Sequence, residues 1–417
     1  MAVTERIVCL TLLGVFASIP VTAGESAPTF TRDVAPIFYE NCVSCHRPGE
    51  FAPMSLITYD DARPWARAIK QRVEAREMPP WDAEPGHQTY VNDASLSLNE
   101  IQTISAWVDG GSPKGDDVHL PRIPEFAAEW TIGEPDLVLS MIEPYAVPAD
   151  GTVPYLYFTV PTKFKEDKWL QAVELRPGDR RVVHHVIATL QSPDGEKVPS
   201  AKPSLTRSQK RTTGSLGGTV PNKLGVVYPD GVAKKIEAGT EIVLQMHYTT
   251  IGEATTDQTS VGLIFSDSPP TRTVGGGQVI NARFEIPAGA ENHEVRAERT
   301  IKEDTYLTHM TPHMHSRGKS FAYTAVYPDG TEEMLLNVPN YRFDWQLTYE
   351  FEQPKLLPAG TKLVGVAHYD NSVKNRDNPD ATADVRWGDQ TWEEMMIGFY
   401  GTVGTANVIK ATTNNNE

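Results

Sequence analysis

The chain has 417 residues, enough for about two to three domains, and its 40% hydrophobic and 22% charged residues suit a globular protein. A formal net charge of −16 excludes nucleic acid and an anionic membrane surface as main partners. With 32 Pro and 31 Gly, the chain favours many turns and short strands over long helices.

Residues 1–23 read as a secretory signal. Arg6 is the lone cation of the n-region, Ile7 to Val21 is apolar but short for a membrane span, and Val21-Thr22-Ala23 supplies small residues for cleavage. An uncleaved anchor is the competing reading. No later apolar run is long enough to span a membrane, so the mature chain is expected to be periplasmic or secreted. Of the 3 Cys, Cys9 leaves with the signal, and Cys42 and Cys45 belong to one motif, so no disulfide is expected.

Cys42-Val-Ser-Cys45-His46 is a C-x-x-C-H sequence, the signature of c-type haem attachment. The two thiols would bond to the haem vinyls and His46 would ligate the iron. A zinc site would need a second ligand pair that this segment lacks. Helices are expected over Phe30–Tyr39, over Ala62–Arg76, and after the capping box Ser97-Leu-Asn-Glu100, ending at Gly110-Gly111. Three helices around this motif resemble a small cytochrome c domain covering residues 28–115. Met78, in the run Met78-Pro-Pro-Trp81, matches the distal Met-Pro-Pro loop of many cytochromes c and is the expected second iron ligand. Met54 and His87 are its rivals. Residues 116–129 read as a Pro- and charge-rich linker.

From Trp130 onward the chain is a series of short β-rich runs. Examples are Tyr155–Val160, Glu241–Thr249 and Tyr341–Tyr349. Gln191–Gly218 reads as a long polar loop. Phe265–Gly277, with its Pro pair and Gly triplet, reads as the boundary between two sandwiches over 130–272 and 273–417.

Metal-ligating residue types recur through this region. His184-His185 lies in a strand-like run, where adjacent side chains face opposite ways unless the strand is irregular. His247 alternates within a strand. His313 and His315, two apart, project from one face of an extended segment and can share a metal, with His309 just upstream. Met395 follows two acidic residues on an expected strand. A thioether among imidazoles selects copper, above all Cu(I), over zinc.

The order His-His, Gln-x-His-Tyr, His-x-His-x-x-Gly-Lys, Glu-Met resembles the copper- and ascorbate-dependent monooxygenases, the family of peptidylglycine α-hydroxylating and dopamine β-monooxygenases. The resemblance covers Trp130 to the C-terminus. It implies an electron-transfer copper on His184, His185 and His247, and an O2-binding copper on His313, His315 and Met395. The implied fold is multidomain: a small all-α cytochrome c domain followed by two all-β jelly-roll-like sandwiches, with one copper on each across a solvent-filled cleft. The implied function is hydroxylation of a C–H bond of a small organic substrate with O2. Electrons would come through haem c from an external donor, ascorbate or a redox protein.

This sequence departs from the family at informative places. The animal enzymes are rich in disulfides. The peptide-hydroxylating member places an Arg two positions before its His-x-His, where Thr311 stands here, and an Asn and a Tyr where Ile397 and Phe399 stand. A less charged substrate is expected. Two other function classes compete: a non-catalytic haem–copper protein for electron transfer or copper handling, and a zinc hydrolase, which leaves Met395 and the haem without a role.

Overall fold

The computed structural model describes residues 27–50, 52–126, 130–206, 209, 211–219 and 225–405. The expected signal segment lies outside them. No helix among the described residues is long and apolar enough to cross a membrane.

The expected fold, an all-α cytochrome c domain followed by two separate sandwiches, is overturned on both counts. The chain is predominantly β-sheet, and its α-helices are short: Ala35–Asn41, Tyr59–Ala62, Ala66–Glu74 and Leu98–Asp109. These helices close over a small core of Phe30, Val34, Phe38, Ile104 and Trp107. They do so for the anticipated reasons. Ser97 accepts from the backbone N–H of Glu100 at 3.2 Å, while the Glu100 carboxylate accepts from the Ser97 N–H at 2.7 Å.

The stretch between the last two helices, however, does not belong to an α-domain. Trp81, Ala83 and Tyr90 pack into the core of the C-terminal half. Tyr90 bridges antiparallel to Phe351. The Asn92 side chain donates to the Thr348 carbonyl at 2.6 Å and accepts from the Glu350 N–H at 3.0 Å. Trp81 meets Tyr349 edge-on, with ring centroids 4.9 Å apart. Apolar rings that the small helical core does not take up are partly buried against the larger sheet instead.

Nor are the two β-halves separate. One sheet runs in the order Leu137–Ser140, Ser260–Phe265, Lys168–Arg176, Val232–Ile236, Arg272–Ile280, Ile397–Gly404, Thr305–His313, Tyr349–Leu357. The strand Arg272–Ile280 joins the halves: Arg272 and Thr273 pair parallel to Val232 and Ala233, and Val274 to Ile280 pair antiparallel to the Ile397–Gly404 strand. The Gly triplet expected to mark a boundary is therefore inside this strand. Its glycines serve close packing: a Cβ at Gly276 would lie 2.6 Å from the Tyr400 carbonyl, and one at Gly277 would lie 2.5 Å from the Tyr400 hydroxyl.

Two four-stranded sheets cover the long one. The first is Leu156–Pro161, Glu241–Tyr248, Val183–Gln191, Thr212–Thr219, over a core that includes Val160, Leu170, Leu244 and Met246. The second is His293–Thr300, Lys362–Tyr369, Gly318–Val326, Glu332–Val338, over Phe321, Tyr323, Leu335 and Leu363. Part of the expected polar loop Gln191–Gly218 is thus a strand. Conversely, most of the expected strand Tyr341–Tyr349 is irregular, and the strand starts at Tyr349.

Because Trp81 belongs to the C-terminal core, Trp81→Ala should lower the unfolding free energy by about 2–4 kcal/mol, somewhat under the cost at a fully buried Trp. The loss should appear in urea unfolding followed by β-sheet circular dichroism. An unchanged midpoint would contradict the packing described.

Candidate metal and haem sites

The two adjacent histidines face one space because the strand is irregular there. In the pairing of Val183–Gln191 with Glu241–Tyr248, Val183 opposes Tyr248 and His185 opposes His247, so the register slips at His184. A bulge turns a residue that would point away onto the face of its neighbour. Ligand atoms of His184, His185 and His247 all lie within 4.8 Å of one another. His184 Nδ1 and His185 Nδ1 are 3.1 Å apart. His185 Nε2 and His247 Nδ1 are buried without a hydrogen-bond partner. Buried imidazole nitrogens are normally satisfied, so this cluster has the donor set of a metal site.

Burial lowers the pKa of all three rings; it pushes His247 down to about 3, and the neighbouring imidazoles depress His185 further. They are neutral at pH 7, the form that ligates. Asp344 Oδ1, 4.0 Å from His184 Nε2, is a carboxylate beside the cluster.

The second group forms where the strand Thr305–His313 ends. Met314 points into the core, fully buried, which leaves His313 and His315 on the other side, with ring centroids 5.3 Å apart. His315 Nδ1 lies 3.1 Å from the Glu393 carbonyl. That oxygen can only accept, so Nδ1 carries the proton and the lone pair is on Nε2, which is buried and partnerless. His313 Nδ1 lies 2.6 Å from Gln346 Oε1 in the same way. Burial pushes His313 down to about 4 and His315 to about 3.

Met395 is buried at 8% exposure, yet it is absent from the apolar core that takes up its neighbour Met396. It lies just before the Ile397–Gly404 strand, not on it. Glu394 ties it to the histidines: its carboxylate accepts from the N–H groups of His315 at 2.8 Å, Arg317 at 2.7 Å and Met395 at 3.3 Å. Burial raises Glu394 to about 7 despite these bonds.

The implied solvent-filled cleft between the groups is not there. Tyr155 meets His247 at 4.8 Å and His315 at 6.1 Å between ring centroids. Phe343 meets His247 at 5.9 Å and His315 at 6.0 Å, and stacks on His184 at 6.4 Å. The two histidine groups are separated by a partition one ring thick. The first group stands on the four-stranded sheet that carries Val183–Gln191 and Glu241–Tyr248, and the second at the end of Thr305–His313 in the long sheet. His309 does not join them; its ring lies over Gly401.

In the C-x-x-C-H motif, Cys42 and Cys45 form no disulfide with each other. Burial pushes the Cys42 thiol up to about 12. His46 Nδ1 lies 3.2 Å from the Met54 carbonyl, again an obligate acceptor, which leaves the Nε2 lone pair for an iron. Met54 therefore approaches His46 by its backbone from the Nδ1 side, away from any iron on Nε2. His87 is bound to Glu84 at 3.0 Å. Met78 is half-buried in the loop after Ala66–Glu74, its N–H on the Arg72 carbonyl at 3.3 Å. A cavity of about 460 Å³ opens beside the motif, lined by Arg47, Glu50, Met54, Arg181 and Ile251. Glu50, just after the motif, pairs with Arg180 at 2.5 Å, and Arg180 precedes His184 on the same stretch of chain.

Sequence reasoning did not find Tyr155, Phe343 or Gln346. No spacing rule marks them: Tyr155 precedes the strand Leu156–Pro161, Phe343 and Gln346 share the loop before Tyr349–Leu357, and tertiary packing aims all three. The sequence marks Glu394 only as the acidic half of the Glu-Met register.

No family model matches this chain, and no curated protein matches it. Among solved structures it is similar to the major capsid protein P2 of bacteriophage PM2, with TM-score 0.30 and 10% identity over 65% of this chain and 98% of that one. It is similar to an allantoicase at TM-score 0.17 and 11% identity, over 54% of this chain and 81% of that one. It is also similar to the VP2 subviral particle of infectious bursal disease virus at TM-score 0.17 and 11% identity, over 67% and 74%. Likenesses of this size assign neither fold nor function.

Proposed function

We propose that the chain is an exported copper-dependent monooxygenase that hydroxylates a C–H bond of a small, weakly charged organic substrate with O2. His184, His185 and His247 would hold one copper, and His313, His315 and Met395 a second. Haem c would be attached at Cys42 and Cys45 and ligated by His46 and Met78. When bound, these groups supply O2 activation and the two electrons that hydroxylation requires, received from ascorbate or a redox protein outside the chain. The observation that carries the reading is the set of buried, partnerless imidazole nitrogens in two groups beside a methionine that its own core does not absorb.

The chain's own residues prepare those sites. The Glu393 carbonyl and Gln346 fix the tautomers and orientations of His315 and His313. Glu394 holds the backbone of His315 and Met395 in one arrangement. Tyr155 and Phe343 exclude water between the groups, so a charge moved from one to the other crosses a region of low dielectric. The imidazole and thioether donors suit the soft, low-charge Cu(I) state, which a zinc hydrolase would not need. Thr311, whose hydroxyl lies 2.9 Å from that of Thr348, and Phe399, 6.0 Å from the His313 ring, offer a weakly polar surface for substrate.

One observation favours the second reading, a non-catalytic haem–copper electron-transfer or copper-handling protein: the space between the groups is filled by side chains. O2 uptake coupled to product separates the two readings, because reversible redox without turnover belongs only to the second.

A His313→Ala/His315→Ala double variant should keep about half the copper of the wild type, since only one of two groups is removed. Copper analysis after gel filtration measures this; no retained copper, or no loss, contradicts two independent sites. The haem should resist acid–acetone extraction, and haem released by that treatment would contradict attachment through Cys42 and Cys45.

A further inference from the structure

We propose that the segment Arg342–Gln346 is a single support shared by the Met78 loop and both histidine groups, and that Arg342 is the positioning residue that locks it. The inference rests on the haem and copper reading above and extends it.

Four of these five residues reach the Met78 loop or a histidine group. The Arg342 guanidinium grips the Met78 loop: Nε donates to Asp82 Oδ1 at 3.0 Å, Nη2 pairs with the same oxygen at 2.8 Å, and Nη1 donates to the Glu77 carbonyl at 2.9 Å. Phe343 lies between the histidine groups, against His184, His247 and His315. Asp344 faces His184 Nε2 at 4.0 Å. Gln346 bonds His313 Nδ1 at 2.6 Å.

A turn hydrogen bond, from the Trp345 N–H to the Arg342 carbonyl at 3.1 Å, braces this backbone from within. It lies outside helix and strand, and Gln346 holds a φ of +26°, uncommon for a residue with a side chain. Its position also depends on side-chain anchors. On one flank the Tyr341 hydroxyl donates to the Met314 carbonyl at 2.8 Å and accepts from the Met314 N–H at 3.1 Å, between the two histidines of the second group. On the other, the Thr348 carbonyl accepts from Asn92 at 2.6 Å. Arg342, at the start of the segment, ties it to Glu77, the residue next to Met78.

The pair is costly to break. The Asp82 side chain is 10% exposed, and burial raises its carboxyl above the ordinary range while Arg342 opposes that rise. Removing the guanidinium strands a buried carboxylate and releases the Glu77 carbonyl together. A planar fork makes both contacts at once, and a Lys ammonium cannot reproduce that geometry.

The test uses the full chain carrying haem and copper. Arg342→Gln should keep its covalent haem but lose most of the absorption band of the Met–iron bond, with a lower haem midpoint potential. Copper affinity, measured by competition with a copper chelator, should fall about tenfold, the low end for loss of an outer support. Arg342→Lys should restore part of each. If Arg342→Gln does not fold, Asp82→Asn, nearly isosteric, carries the same expectations. A wild-type band and potential overturn the positioning of Met78. Wild-type copper affinity overturns the shared support. Met78→Ala is the control for the underlying reading: a band that survives it overturns Met78 as ligand and the haem end of the proposal, and copper affinity then decides the remainder.

Discussion

Burial of imidazole without a hydrogen-bond partner is the constraint on which the site depends. A neutral ring in a β-core can satisfy both nitrogens or face water with one. Here His185, His247 and His315 each leave a buried nitrogen without a hydrogen-bond partner in the chain. That arrangement costs about 1–3 kcal/mol per group unless something binds there. The surrounding structure holds the cost in place: a register slip at His184, an obligate carbonyl acceptor behind His315, and Glu394 clamping the turn to Met395. These features suit metal binding and have no evident value to an empty fold.

The continuity of the sheet follows as the second constraint. Because Arg272–Ile280 pairs with strands of both halves, the two histidine groups cannot move as parts of independent domains. Their separation is set by two aromatic rings. The helical segment is bound into the same body at both ends, through Glu50 on Arg180 and through Trp81, Tyr90 and Asp82 on the C-terminal half.

The residue types and short spacings of the candidate site were legible in the sequence. Cys42-Val-Ser-Cys45-His46 is local, and so is His313-Met-His315, whose alternation survives past the end of its strand. The adjacent pair His184-His185 carried its own condition, an irregular strand, and the register slip meets it. The fold was less legible. A Gly triplet reads equally as a break or as close strand packing, and only the partner Tyr400 decides. Tyr341–Tyr349 alternates like a strand, yet its side chains are used one by one as anchors. An apolar pattern records what is buried, not against which neighbour, so the transfer of Trp81 and Tyr90 to the β-core left no local trace.

The account turns on the closeness of the two histidine groups, and electron paramagnetic resonance of the protein loaded with two Cu(II) ions tests it most directly. Ions held on either side of Tyr155 and Phe343 should broaden each other's spectra by dipolar coupling, and the spectrum should differ from the sum of the singly loaded variants. A spectrum equal to that sum would place the ions far apart and contradict the shared, partitioned site.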